Sequence, residues 1–166
     1  MNGRIATRLR DLGIVLLAPR APSANYVATK TSGSLLFVAG QVPYIDGKLP
    51  YVGKLGQEFA MEAGQQAARL CALNILAQLH QALDGDLDRI GGCVQVRGFV
   101  NATPEFTEHP KVINGASDLI VEVFGAEGRH ARTAVGCGSL PNNVAVEVDA
   151  VFELRESLAA MERRVT

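Results

Sequence analysis

Arg129-His130-Ala131-Arg132-Thr133-Ala134-Val135-Gly136-Cys137-Gly138-Ser139-Leu140-Pro141, followed after two asparagines by Val144-Ala145-Val146-Glu147-Val148-Asp149-Ala150-Val151-Phe152, is the stretch on which the reading of this chain turns. Its two apolar runs, 131–136 and 144–154, are expected to be the last two strands, joined by a short turn. Side chains alternate along a strand, so Glu147 and Asp149 share one face and Val146, Val148 and Ala150 take the other. Arg132 sits one turn away. An arginine fork can hold a carboxylate through two parallel hydrogen bonds, and a carboxyl group can orient a water or move a proton. Together they make a minimal site for chemistry on a small acid. The plainer alternative is that Arg132 is a structural ion-pair partner and the acids face solvent or pair with it.

Upstream, residues 58–83 read as a long helix. Ala68, Ala72, Ile75, Leu76, Leu79 and Leu83 form one apolar stripe, while Glu58, Glu62, Gln65, Arg69, Gln78 and Gln81 fall mostly elsewhere. Its alanines suit a close approach to a sheet, and Asp84-Gly85 ends it. A strand is expected over 90–100. A second helix is expected to open at Thr103-Pro104-Glu105, break near His109-Pro110 and continue to Phe124. Nearer the N-terminus, 5–12 reads as a short helix, and 14–18, 26–30 and 34–40 as strands. Asp46-Gly47 marks a tight turn. Leu158 to Arg164 reads as a helical tail.

The order is strands, long helix, strand, helix, two strands, which is an α+β pattern with about six strands and two main helices on one face. The apolar run 35–39 leaves little room for polar alternation. The second sheet face is therefore expected to be buried by sheet packing in an oligomer.

Composition agrees with one globular domain spanning 1–166, with an extension at about 1–13 and a tail at about 155–166. Apolar residues make up 48% and charged residues 20% of the chain, far from a disordered composition. A net charge of −1 and aromatic content of 5% argue against a nucleic-acid or membrane-surface role. Three scattered cysteines without C-x-x-C spacing fit a reducing compartment. Cys71 and Cys93 are expected to be buried, with Cys137 near the candidate site. No stretch reads as a transmembrane helix or signal peptide, so a cytoplasmic location is expected. His80, His109 and His130 lack metal-ligand spacing. His109 and His130 could serve a ribonuclease as acid and base, but surface placement explains them more simply. Gly136-x-Gly138 leads into another strand and is not a dinucleotide fingerprint.

From about Pro22 to Leu154 the sequence resembles the Rid/YjgF family of enamine–imine deaminases, whose members also carry L-PSP endoribonuclease or translation-inhibitor names. The resemblance rests on Asn25-Tyr26-Val27, on Phe37-Val38-Ala39-Gly40-Gln41-Val42-Pro43, on Asn114 in Val112-Ile113-Asn114, and on Ala131-Arg132-Thr133-Ala134-Val135 followed by Leu140-Pro141 and Val146-Glu147-Val148. Each piece is weak alone, and their order is specific. The resemblance implies a chorismate-mutase-like fold and a homotrimer with sites in clefts between subunits. It implies hydrolysis of 2-aminoacrylate-type enamines and imines to 2-keto acids and ammonia, with no cofactor and no metal. In that reading Arg132 binds the carboxylate of a small metabolite and Glu147 handles the attacking water. Gly40 and the backbone of Ala134 shape the pocket, and Tyr26 and Asn114 line it. Ala39 stands where many members have serine and Ala134 where others have cysteine. The start, the 50–57 insert and the tail mark a divergent branch. The rival readings are a non-catalytic trimer that binds a keto acid or amino acid, and an endoribonuclease or translation inhibitor.

Overall fold

The computed structural model describes residues 3–155. In chain order the elements are α1 (Arg4–Asp11), β1 (Thr29–Ser32), β2 (Leu35–Gln41), α2 (Met61–Ala82), β3 (Ile90–Asn101), α3 (His109–Phe124), β4 (Ala131–Cys137) and β5 (Val146–Leu154). The strands form one sheet of five, in the order β1-β2-β5-β3-β4. Pairing is antiparallel except between β3 and β4. β2 and β3 both run antiparallel to β5, hence parallel to each other, and α2 connects them across the inserted β5. The α3 connection carries β3 to the parallel β4. Both crossovers advance in the same direction along the sheet. The right-handed rule for such connections therefore puts both helices on one face.

That face is the core. Val146, Val148, Ala150 and Phe152 of β5 are at most 1% exposed, and they meet Ala72, Ile75, Leu76, Leu79, Ile113, Leu119 and Ile120 of the helices in one buried cluster. The tightest approach is between the helices rather than onto the sheet. A Cβ on Gly115 would lie 2.0 Å from the Gln65 carbonyl oxygen, and one on Gly64 would press on Leu55 and Val112. Past α2, Asp84 and Gly85 take positive φ of 53° and 88°, and the Gly85 N–H reaches the His80 carbonyl at 2.8 Å. This is the left-handed stop expected there. Asp46 and Gly47, with φ of 50° and 78°, form the expected tight turn.

Several expectations need correction. Among the described residues the sheet has five strands, because 14–18 pairs with none of them: Ile14 and Leu16 instead pack against the core without ladder bonds. Pairing in the 26–30 segment starts only at Thr29. The second helix begins at His109, with Pro110 in its first turn. Proline lacks an N–H and clashes with a preceding turn, which suits Pro110 to the first turn of a helix, and the expected helical stretch before it, 103–108, is not helical. Thr103 is held to the insert instead, its N–H bonding the Leu55 carbonyl at 3.0 Å. Gln78 is buried at 3% exposure rather than on a polar face. Within the N-terminal extension, α1 puts Ile5 and Leu9 into the core. The expected tail helix lies outside the described residues.

Among the described residues nothing covers the opposite sheet face. It carries the in-register pairs Phe37–Val151, Arg97–Asp149 and Phe99–Glu147, and Val135 on β4. Phe37 and Val135 are 43% and 41% exposed.

Candidate functional site

The sequence-derived site residues fall into two groups. The first is Tyr26, Gly40 and Glu147. They line one cavity of about 390 Å³ together with Arg20, Ser23, Gln41, Tyr44, Asn74, Gln78 and Asn142. Its base is a β-bulge: the β2–β5 register shifts between Val38 and Gln41, and the extra residue turns the strand's end away from the ladder. Gly40 sits in that bulge. A Cβ there would fall 2.0 Å from Glu147 Oε1, so the glycine makes the room into which the carboxyl group leans.

Glu147 is half-buried, and among the described residues its carboxyl has no hydrogen-bond or ion-pair partner. Burial raises its pKa above the ordinary carboxylate range, and the neighbouring charge of Asp149 raises it further. Asp149 itself is paired, accepting from Arg97 Nε at 2.8 Å. Among the described residues one of the two acids is thus ion-paired and the other is not.

The walls are set by residues that the sequence reading passed over. Two buried amides of α2 hold them: Asn74 Nδ2 donates to the carbonyls of Val42 and Tyr44 at 3.3 and 2.9 Å, and Gln78 Nε2 donates to the Arg20 carbonyl at 2.8 Å. Their signal was available as polar residues on the buried side of an apolar helix, which must find partners. The Arg20 guanidinium stacks 4.8 Å from the Tyr44 ring centroid, bringing a cation into the same cavity. On the far wall, Asn142 has φ of 54° in the loop before β5. The 50–57 insert does not line the cavity but ties this loop down. Lys54 Nζ donates to Asn101 Oδ1 at 2.7 Å and to the Gly138 carbonyl at 2.6 Å, and the buried Asn101 donates to Asn143 Oδ1 at 2.9 Å.

The second group is Arg132, Asn114 and Ala134. Arg132 and Ala134 lie in register with Val96 and Gly98 of β3, on the helix side of the edge strand β4. Arg132 Nη1 donates to Asn114 Oδ1 at 2.8 Å and to Ser117 Oγ at 3.2 Å, both on α3. The two groups do not meet within the chain: β3 lies between β4 and β5, and Arg132 and Glu147 point to opposite faces. Arg132 pairs with neither acid.

The histidines are not plain surface residues. His130 is engaged at both ring nitrogens, with Ser117 Oγ at 2.9 Å and the Gly128 carbonyl at 2.6 Å. His109 packs edge-on against Phe106 and lies over Gly136. His109 and Cys137 line a separate cavity of about 340 Å³. Cys71 and Cys93 are buried, and burial pushes the Cys93 thiol up to about 12. Among the described residues no cluster of three or more His, Cys, Asp or Glu could hold a metal, and no helix is long and apolar enough to cross a membrane.

Residues 6–154 match the family described as YjgF/chorismate mutase-like, putative endoribonuclease. The chain is 51% identical over 154 residues to Protein TCP17 of Trypanosoma cruzi, covering 92% of this chain and 96% of the relative. Among solved structures, the protein Atu1372 of Agrobacterium tumefaciens is 48% identical with a TM-score of 0.85, covering 91% of this chain and 92% of that one. A putative endoribonuclease of Shewanella oneidensis MR-1 is 39% identical with a TM-score of 0.88, covering 92% and 100%.

Proposed function

This chain belongs to the YjgF/chorismate mutase-like family, and on that premise we propose that it hydrolyses reactive enamine and imine intermediates of the 2-aminoacrylate type to 2-keto acids and ammonia. The observation that carries this reading is Glu147: a half-buried carboxyl with no partner among the described residues, leaning over Gly40 in a cavity with Tyr26. A carboxyl so placed, with a raised pKa, suits holding a water and exchanging a proton with it. Arg132 supplies the carboxylate clamp.

Because Arg132 and Glu147 stand on opposite sheet faces, the reading requires two chains. In a homotrimer, the β4 edge of one subunit would face the Glu147 cavity of the next, and the uncovered sheet face would be buried by its neighbours. The substrate's carboxylate meets Arg132. Its imine carbon, made electrophilic by protonation at nitrogen, takes the oxygen of the water oriented by Glu147. The resulting carbinolamine expels ammonia and leaves the keto acid. No cofactor is needed, since orientation and a placed water supply what the protonated imine lacks. Action within the reducing cytoplasm, where such intermediates would arise, completes the proposal.

The ribonuclease reading is the weaker one. The net charge is −1, and His130 has both nitrogens committed to Ser117 and Gly128. The deciding assay follows ammonia and keto-acid release from freshly generated 2-aminoacrylate, with Arg132→Ala and Glu147→Gln beside the native protein. Acceleration lost in both variants supports the deaminase. Tight keto-acid binding without acceleration, retained in Glu147→Gln, would replace it with the ligand-binding trimer.

A further inference from the structure

The Arg132 guanidinium is held from one side only. Both hydrogens of Nη1 are used, one by Asn114 Oδ1 and one by Ser117 Oγ, acceptors three residues apart on α3 and so on one helix face. The remaining edge, Nε–H beside an Nη2–H, has no partner among the described residues. That edge is a two-pronged fork matched to a carboxylate.

Behind Ser117 stands His130, and the donor directions of the whole chain of bonds can be assigned. The Gly128 carbonyl can only accept, so His130 Nδ1 carries a proton. Burial lowers the pKa of the ring, the Gly128 bond opposes this, and the charge of Arg132, the ionised group that acts on it, lowers it further. The ring is therefore neutral at pH 7 and its Nε2 is an acceptor. Ser117 must then donate to His130, which leaves its lone pairs for Arg132. Polarity runs one way, from Arg132 through Ser117 and His130 to Gly128.

We propose that Ser117 and His130 are positioning residues that select which edge of Arg132 is presented to an anionic ligand, leaving the Nε–Nη2 fork for a carboxylate. This rests on the reading of Arg132 as a carboxylate clamp. Without Ser117, Nη1 keeps one anchor and the guanidinium can rotate about its stem. Without an acceptor at position 130, the serine hydroxyl loses its fixed direction.

The test uses the full-length protein and 2-oxobutanoate, a plain 2-keto carboxylate, titrated calorimetrically, with thermal unfolding confirming that each variant is folded. Ser117→Ala and His130→Leu should each weaken binding about fivefold, the size of one hydrogen bond's net contribution. His130→Gln, whose amide can accept from Ser117 and donate to Gly128, should stay within about twofold of native. Placed on Arg132→Ala, Ser117→Ala should have no further effect. Equal losses in both backgrounds, or no loss in the native one, would overturn the proposal. The nitrogen spectrum of the unliganded protein is a second arm. A neutral His130 protonated at Nδ1, with separate Arg132 Nη1 and Nη2 signals that merge in Ser117→Ala, supports it. An Nε2-protonated ring, or merged signals in the native protein, overturns it. If Arg132→Ala itself binds the keto acid normally, the clamp reading fails, and the spectrum alone decides whether the relay holds the guanidinium.

Discussion

Arg132 and Glu147 stand on opposite faces of one sheet with β3 between their strands. Strand spacing alone separates their backbones by about 10 Å, and their side chains diverge from there. Chain proximity across the 138–143 loop therefore does not become proximity in space, and a site using both residues must be shared between chains.

Subunit mixing tests that sharing. Arg132→Ala and Glu147→Gln should each be inactive as pure proteins. Dissociated together and reassembled in equal amounts, they should recover up to about a quarter of native deaminase activity, because some interfaces then pair an intact Arg132 with an intact Glu147. Assembly is checked by mass. Mixed oligomers without recovery would contradict an inter-subunit site.

Gly40 is the position where the smallest change should act on the site alone. In Gly40→Ala the new methyl would meet Glu147 Oε1 at 2.0 Å, and the flexible carboxyl must turn away. Activity should fall on the order of a hundredfold, the cost of misplacing a reacting group by about 1 Å, with thermal stability nearly unchanged. Comparing turnover with melting temperature separates this from unfolding.

Glu147 ties stability to pH. Burial first, and Asp149 second, hold its pKa above the ordinary range. A carboxyl whose pKa is higher folded than unfolded favours folding fully below the unfolded value, and that contribution is lost as pH rises through the folded one. Glu147→Gln should therefore stabilise the protein near neutral pH, by less than about 1 kcal/mol given solvent screening of a half-exposed group. The gain should close toward about pH 3.5. Urea melts across that range read it, and a variant less stable than native at neutral pH would contradict the prediction. Gained stability with lost turnover is the mark of a group kept for chemistry.

Asp88 anchors α1. Its two carboxylate oxygens accept the Arg4 and Ile5 N–H groups at 2.7 and 2.9 Å, capping a helix whose own cap residue, Gly3, has no side chain to do so. A Cβ on Gly3 would lie 2.2 Å from the same carboxylate. Asp88→Ala should cost about 1–2 kcal/mol, seen in chemical denaturation, with amide exchange rising first in α1.

Much of the fold was legible because it depends on local rules. The stripe in α2, the Asp84-Gly85 stop, the Asp46-Gly47 turn and the alternation that buries Val146, Val148 and Ala150 are each written in spacing or turn chemistry. The start of α3 was misread because two prolines compete as the first-turn residue, and the suitability of Pro110 for a first turn together with the contact of Thr103 with the insert decides between them. The segment 14–18 has strand composition but no ladder partner. Buried Asn74 and Gln78 look like solvated helix residues until the 20–22 and 42–44 segments are folded over them.

The sequence by itself determined the residue types of the site, their alternation along each strand and the family. Those depend on side-chain identity and a two-residue period that hold wherever a strand pairs. Only the tertiary structure decided which residues meet. The parallel β3–β4 register sets Arg132 against α3, and the β2 bulge opens the space at Gly40 for Glu147. Both are properties of inter-strand hydrogen bonding between segments far apart in the chain, and no local pattern carries them.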